Sequence, residues 1–171
     1  MPDLGVARGK QYRMMDFSEL LLQIERLAET ASNLAGLQQS MADLIAARLA
    51  YYNWVGFYML DPQDGSMLVL GSFHGAPTQH VRIPVSQGIC GAAVAQGETV
   101  VVDDVASDPR YLSCSIETRS EIVSPIRVNS KVVGEIDVDS HSLSAFQPAD
   151  REFLEQCAAI VGRYMAAQAG A

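Results

Sequence analysis

The sequence predicts an α+β domain, with a central, mostly antiparallel sheet and its N-terminal helices and C-terminal helix packed on one face. Three observations lead there. Apolar residues recur at helical spacing at both ends of the chain and with period two through most of the middle. The stretches between the apolar runs are rich in turn formers, among them Asp61-Pro62, Asp64-Gly65 and Asn129-Ser130. The element order is two helices, two strands, a loop with a short helix, three strands and one long helix, a segregation typical of α+β rather than alternating βαβ units.

Taken in order, residues 1–15 mix Pro, Gly and basic side chains without periodicity and are expected to form a flexible N-terminal tail, leaving 16–171 as one domain. Phe17, Leu20, Leu21, Ile24, Leu27 and Ala28 mark a first amphipathic helix. Leu34, Leu37, Met41, Leu44, Ile45 and Leu49 mark a second, with a break near Ser32 and Asn33. Strands follow at Asn53–Leu60 and Met67–Phe73, joined by DPQDG. Residues 74–87 read as a long loop, Gly88–Gln96 as a short helix and Thr99–Val102 as a strand. A second polar loop covers 103–120, and Glu121–Val128 and Lys131–Val138 form a hairpin. The last helix spans Pro148–Ala167, with Pro in its first turn and Phe153, Leu154, Cys157, Val161, Tyr164 and Met165 along one stripe.

Composition narrows the function classes. With 12 basic and 20 acidic residues the net charge is −8, which repels phosphate backbones and anionic lipid and argues against nucleic-acid or membrane partners. No apolar run approaches the ~20 residues of a membrane span, and the first residues lack the apolar core of a signal peptide. Three cysteines do not form a secreted disulfide framework, so a reducing cytoplasm is expected. No CxxC pair, GxSxG elbow, P-loop or paired-histidine metal spacing occurs, and His74, His80 and His141 are scattered.

The chemistry concentrates in a few places. Strand alternation puts Trp54, Gly56 and Tyr58 on one face and Val55, Phe57 and Met59 on the other, the natural core face. The aromatic pair either packs under helices or walls a pocket, and the glycine between them leaves room for a ligand to approach the sheet. Glu135, Asp137 and Asp139 share a strand face, with Glu121 opening the neighbouring strand. Strands disfavour Asp, so the cluster is either a solvated edge or a site: an ammonium pocket, a hard-metal site, or a carboxyl kept protonated for general acid work. Cys90 opens the short helix, where a thiolate is stabilised, or it is a small buried hydrophobe. Cys114 lies in a polar loop seven residues before Glu121, with Arg110 and Arg119 near in sequence. Cys157, on the apolar stripe, is a packing residue.

Four segments, NWVGFY at 53–58, RIPVSQGICG at 82–91, Cys114 before SEIVSPI at 120–126, and DVDS at 137–140, occur in order and with matching spacing. Together they resemble the free methionine-(R)-sulfoxide reductases, small enzymes built on a GAF domain. The resemblance implies a GAF-like fold and reduction of free L-methionine-(R)-sulfoxide. It implies Cys114 as nucleophile, Cys90 as a second active-site thiol, Trp54 and Tyr58 as the wall around the substrate methyl group, and Glu121, Asp137 and Asp139 as the carboxylates for the ammonium and the sulfoxide oxygen. No bound cofactor or metal is implied, only an external thiol reductant such as thioredoxin, and a homodimer through the N-terminal helices is in keeping with the family. The chain departs from the pattern once: ten residues before Cys90, where the family carries a further cysteine that often resolves the sulfenic acid, stands His80. The alternative is a non-catalytic GAF sensor for a small amino acid or related ligand.

Overall fold

The computed structural model describes residues 17–113 and 115–170, so the expected tail over 1–15 lies outside the described residues, as does Cys114. Two helices, α1 (Ser18–Thr30) and α2 (Leu34–Arg48), lead into strands β1 (Trp54–Leu60), β2 (Met67–His74) and β3 (Arg82–Pro84). Helix α3 (Gly88–Gln96) and strand β4 (Val100–Val102) precede the long hairpin of β5 (Ser120–Val128) and β6 (Lys131–Ser140), and α4 (Pro148–Ala169) closes the chain. Asn33 ends the break between the first two helices by capping α2, its side chain accepting from the Gly36 amide at 2.8 Å. The β5–β6 turn is made by Asn129 and Ser130, both at positive φ, the backbone that a tight two-residue hairpin needs.

The six strands form one sheet in the order β3-β2-β1-β6-β5-β4, with every pairing antiparallel. Two stretches expected as loop contain short elements. Residues 82–84 add β3 beside β2, and Val105–Ser107 form one 3₁₀ turn capped by Asp104. Neither carries enough residues for a periodic signal.

The sheet separates two apolar layers. On one face Val55, Phe57, Ile122, Ile126, Ile136 and Val138 pack against α1, α2 and α4, whose stripes include Ile24, Leu37, Met41, Phe153, Leu154 and Val161. Cys157 sits in this core with no exposed surface, and burial holds its thiol well above the ordinary value. On the other face a smaller cluster of Trp54, Tyr58, Leu68, Ile83, Ile89, Cys90, Ala93, Val102, Val105 and Val123 is covered by α3 and the loops. Among the described residues no helix is long and apolar enough to cross a membrane.

Candidate active site

The smaller layer holds the acids. Strand pairing sets Trp54 opposite Asp139, Gly56 opposite Asp137 and Tyr58 opposite Glu135, and on the next strand sets Glu121 opposite Asp139. Since residues paired across neighbouring strands point to the same face, two aromatics and four carboxyls that lie up to 85 positions apart in sequence meet on one side of three strands. All are buried: Glu121 is 5% exposed, Glu135 0%, Asp137 2% and Asp139 4%. A solvated edge, one reading of this acidic face, is thereby excluded.

The aromatic wall is firmly held. The Trp54 indole stacks on Phe73 at 5.6 Å and donates from Nε1 to the Ala76 carbonyl at 3.0 Å. The Tyr58 hydroxyl donates to the His80 carbonyl at 2.8 Å. Gly56 does not leave room for a ligand, as the alternation had suggested. The indole folds back over it, so that a Cβ there would fall 2.1 Å from the Trp54 ring. The glycine admits the tryptophan itself, because a large ring can lie flat on a strand only where no side chain rises beneath it.

Trp54, Tyr58, Asp137, Asp139, Asn53, Ala76, Pro77, Thr78, Ser115, Glu117, Thr118 and His141 line a recessed cavity of about 80 Å³. Glu121, Glu135 and Cys90 are not in its lining and communicate with it through the acids that are. The Cys90 Sγ lies 3.6 Å from Asp137 Oδ2 and 4.0 Å from Glu121 Oε1. Cys90 is thus at the start of α3, as the sequence suggested, but its thiol is turned onto carboxyls. Close approach of the helix permits this: at Gly91 a Cβ would stand 2.7 Å from the Val85 carbonyl.

Burial dominates the electrostatics. It raises Glu121, with Asp139, Glu135 and Asp108 adding to the shift and Arg110 opposing it. Burial likewise raises Asp137, reinforced by Glu121, Asp139 and Glu135 and opposed by Cys90. Glu135 is raised by burial against the opposing Cys90 thiol. Asp139 is raised by burial to about 7, with the Thr118 side chain opposing through a hydrogen bond. Both Glu135 oxygens and Asp137 Oδ1 have no hydrogen-bond partner among the described residues. Such a set holds protons near neutral pH, or exchanges them for a cation brought by a ligand.

Cys90, Glu121 and Asp137 offer ligand atoms within 4.8 Å of one another. A thiol is a soft ligand and a poor partner for Mg²⁺ or Ca²⁺, which select oxygen.

Cys114 lies outside the described residues, but its neighbours do not. Ser115 lines the cavity, and the Ser113 carbonyl lies 3.1 Å from His80 Nε2. Arg110, one of the two arginines near Cys114 in sequence, is paired with Asp108 at 2.6 Å. Glu135 and Thr118 are the site's additions. Strand alternation had put Glu135 on the acidic face, whereas Thr118 carried no signal in sequence. A wider, open groove of about 730 Å³ runs between α4 and β5, but it holds no cysteine and its arginines are engaged, Arg151 with Glu155, Arg163 with Glu25 and Arg127 with the Gly97 carbonyl.

The family described as "GAF domain" matches residues 23–165. The free methionine-R-sulfoxide reductase of Escherichia coli is 36% identical over 140 residues, covering 82% of each chain. Protein YtsP of Bacillus subtilis is 37% identical over 151 residues, 88% of this chain and 91% of its own. The X-ray structure of free methionine-R-sulfoxide reductase from Neisseria meningitidis in complex with its substrate superposes with a TM-score of 0.83 at 34% identity, over 90% of this chain and 91% of that one.

Proposed function

From the premise that the chain belongs to the GAF-domain family and, within it, to the free methionine-R-sulfoxide reductases, we propose that it reduces free L-methionine-(R)-sulfoxide to methionine. One observation carries the reading: an aromatic pair and buried aspartates on the same sheet face line one recessed cavity. The wall suits a methyl-bearing apolar tail. The floor suits an ammonium that is not tied up in a peptide bond, so methionine sulfoxide within a protein is a poor substrate.

Asp137 and Asp139, which line the cavity, meet the ammonium, and Glu121 and Glu135 behind them share the proton load. Substrate binding adds one positive charge to the cluster and releases a proton from it. A carboxyl that stays protonated donates to the sulfoxide oxygen as the Cys114 thiolate attacks the sulfur. The attack forms a Cys114 S–S bond to the substrate while the S–O bond breaks and the oxygen leaves as water. Water returning to the Cys114 sulfur then breaks the S–S bond, gives back one proton and releases methionine, so methionine sulfur is reduced by two electrons and the cysteine is oxidised to a sulfenic acid. A second thiol, Cys90 or an outside one, condenses with the sulfenic acid and releases water. An external dithiol such as thioredoxin then reopens the disulfide.

The test is methionine release from free L-methionine-(R)-sulfoxide, first with dithiothreitol and then with thioredoxin, beside the Cys114→Ser protein and with the S epimer as control. R-selective turnover that disappears in Cys114→Ser is expected. Absence of turnover with both reductants would overturn the proposal and leave a pocket that binds a small ligand without chemistry.

A further inference from the structure

His80 occupies a junction in the site. Its main-chain carbonyl accepts from the Tyr58 hydroxyl at 2.8 Å, and its ring Nε2 lies 3.1 Å from the Ser113 carbonyl, 33 residues further along. Its own amide is held by the Thr78 hydroxyl oxygen at 3.1 Å, and Thr78 lines the cavity. A carbonyl can only accept, so Nε2 carries the proton and donates. One residue therefore joins the aromatic wall to the loop that runs from Tyr111 to Thr118. The loop's last residue is tied to β6, the Thr118 side chain bonding Asp139. Around Ser113 its bonds are local, from the Tyr111 hydroxyl to the Ser115 carbonyl at 3.3 Å and from the Glu117 amide to the Ser115 hydroxyl at 3.1 Å, and Ile116 within it is 92% exposed. A polar, exposed loop of this kind opens readily unless a specific contact pins it.

We propose that His80 is a positioning residue: its ring holds the Ser113 carbonyl and so fixes the backbone at Ser113, the residue that precedes Cys114 in sequence. The inference rests on the reductase reading for its kinetic consequence, though not for its structural one. His80 is not a catalytic residue here, because its ring is committed to a backbone carbonyl and does not line the cavity. Positioning matters because a displacement of ~1 Å between nucleophile and substrate costs up to about 100-fold in rate. The position held by a thiol in the family pattern thus supplies a hydrogen-bond donor in this chain, and resolution of the sulfenic acid falls to another thiol.

Three proteins decide it: wild type, His80→Ala and His80→Gln, whose amide nitrogen can donate to the same carbonyl. Hydrogen exchange of residues 111–118 is measured in each, with β5 and β6 as internal reference. Exchange in that segment is expected to quicken about fivefold in His80→Ala, the loss of one hydrogen bond worth ~1 kcal/mol, and to return towards wild type in His80→Gln. With dithiothreitol as reductant, kcat is expected to fall about 10-fold or more in His80→Ala with substrate affinity nearly unchanged, and His80→Gln to recover most of it. Unchanged exchange in His80→Ala, or a Gln variant as impaired as Ala in both readouts, would overturn the proposal. If the wild type does not turn over, the reductase reading fails on its own while the exchange data still decide the role of His80.

Discussion

Replacing Asp139 with Asn separates the stability of this fold from its proposed chemistry. The Asp139 carboxyl is 4% exposed and is raised by burial from an ordinary 3.8 to about 7. A raised acid holds its proton in the folded state over a range where the unfolded chain has already released it, so it lowers stability as pH rises. The cost is absent below about pH 4, grows by ~1.4 kcal/mol per unit up to about pH 7 and is constant above, reaching about 4 kcal/mol for the group alone. Near pH 4.5 the same reckoning gives about 1 kcal/mol. Asn keeps an oxygen for the Thr118 hydrogen bond and has nothing to titrate. Burying its amide costs the same at both pH values and cancels in the comparison. The stability of Asp139→Asn relative to wild type is therefore expected to improve by about 2–3 kcal/mol between about pH 4.5 and pH 8. Urea unfolding followed by the fluorescence of Trp54, the single tryptophan and part of the same cavity, reads this directly. A difference that stays constant across that pH range would show that the Asp139 carboxyl is not held protonated by burial, and the acidic floor would need another account. Methionine sulfoxide turnover by Asp139→Asn is expected to fall sharply in the same preparation.

The remaining predictions concern the wall, the floor and the core. Gly56→Ala puts a methyl 2.1 Å from the Trp54 ring, and is expected to cost about 1–3 kcal/mol and to displace the indole, seen as altered Trp fluorescence together with a raised KM. The affinity for free methionine sulfoxide is expected to strengthen as pH rises through about 7, because the ammonium prefers an ionised Asp139. Calorimetry in buffers of different ionisation heat should show about one proton released per ligand below that pH, and a pH-independent affinity would count against the ammonium assignment. Cys157→Ala, in the helix-covered core, is expected to lose about 1–3 kcal/mol of stability while kcat/KM stays at the wild-type level. A large loss of turnover there would mean that this thiol takes part in the redox cycle.

The periodicity of this chain was enough to order its helices and strands, and the alternation along β1 and β6 was enough to sort their side chains into a core face and an acidic, aromatic face. Those are local properties: the pitch of a helix and the pleat of a strand act over a few residues, and apolar spacing records them. The turn at Asn129 and Ser130 and the cap at Asn33 are local for the same reason. Which acids share one cavity was not local. Trp54 meets Asp139 only because β1 pairs with β6 in one register, and a slip of one residue would have turned one of the two to the helix-covered face. The indole lying over Gly56, the Cys90 thiol facing Asp137, and the His80 ring on the Ser113 carbonyl each depend on where separate elements come to rest. The same holds for the protonation of the floor. Carboxyls that sequence alone left open to solvent are buried together under α3 and the loops, and only that burial lets neutral water fail to ionise them.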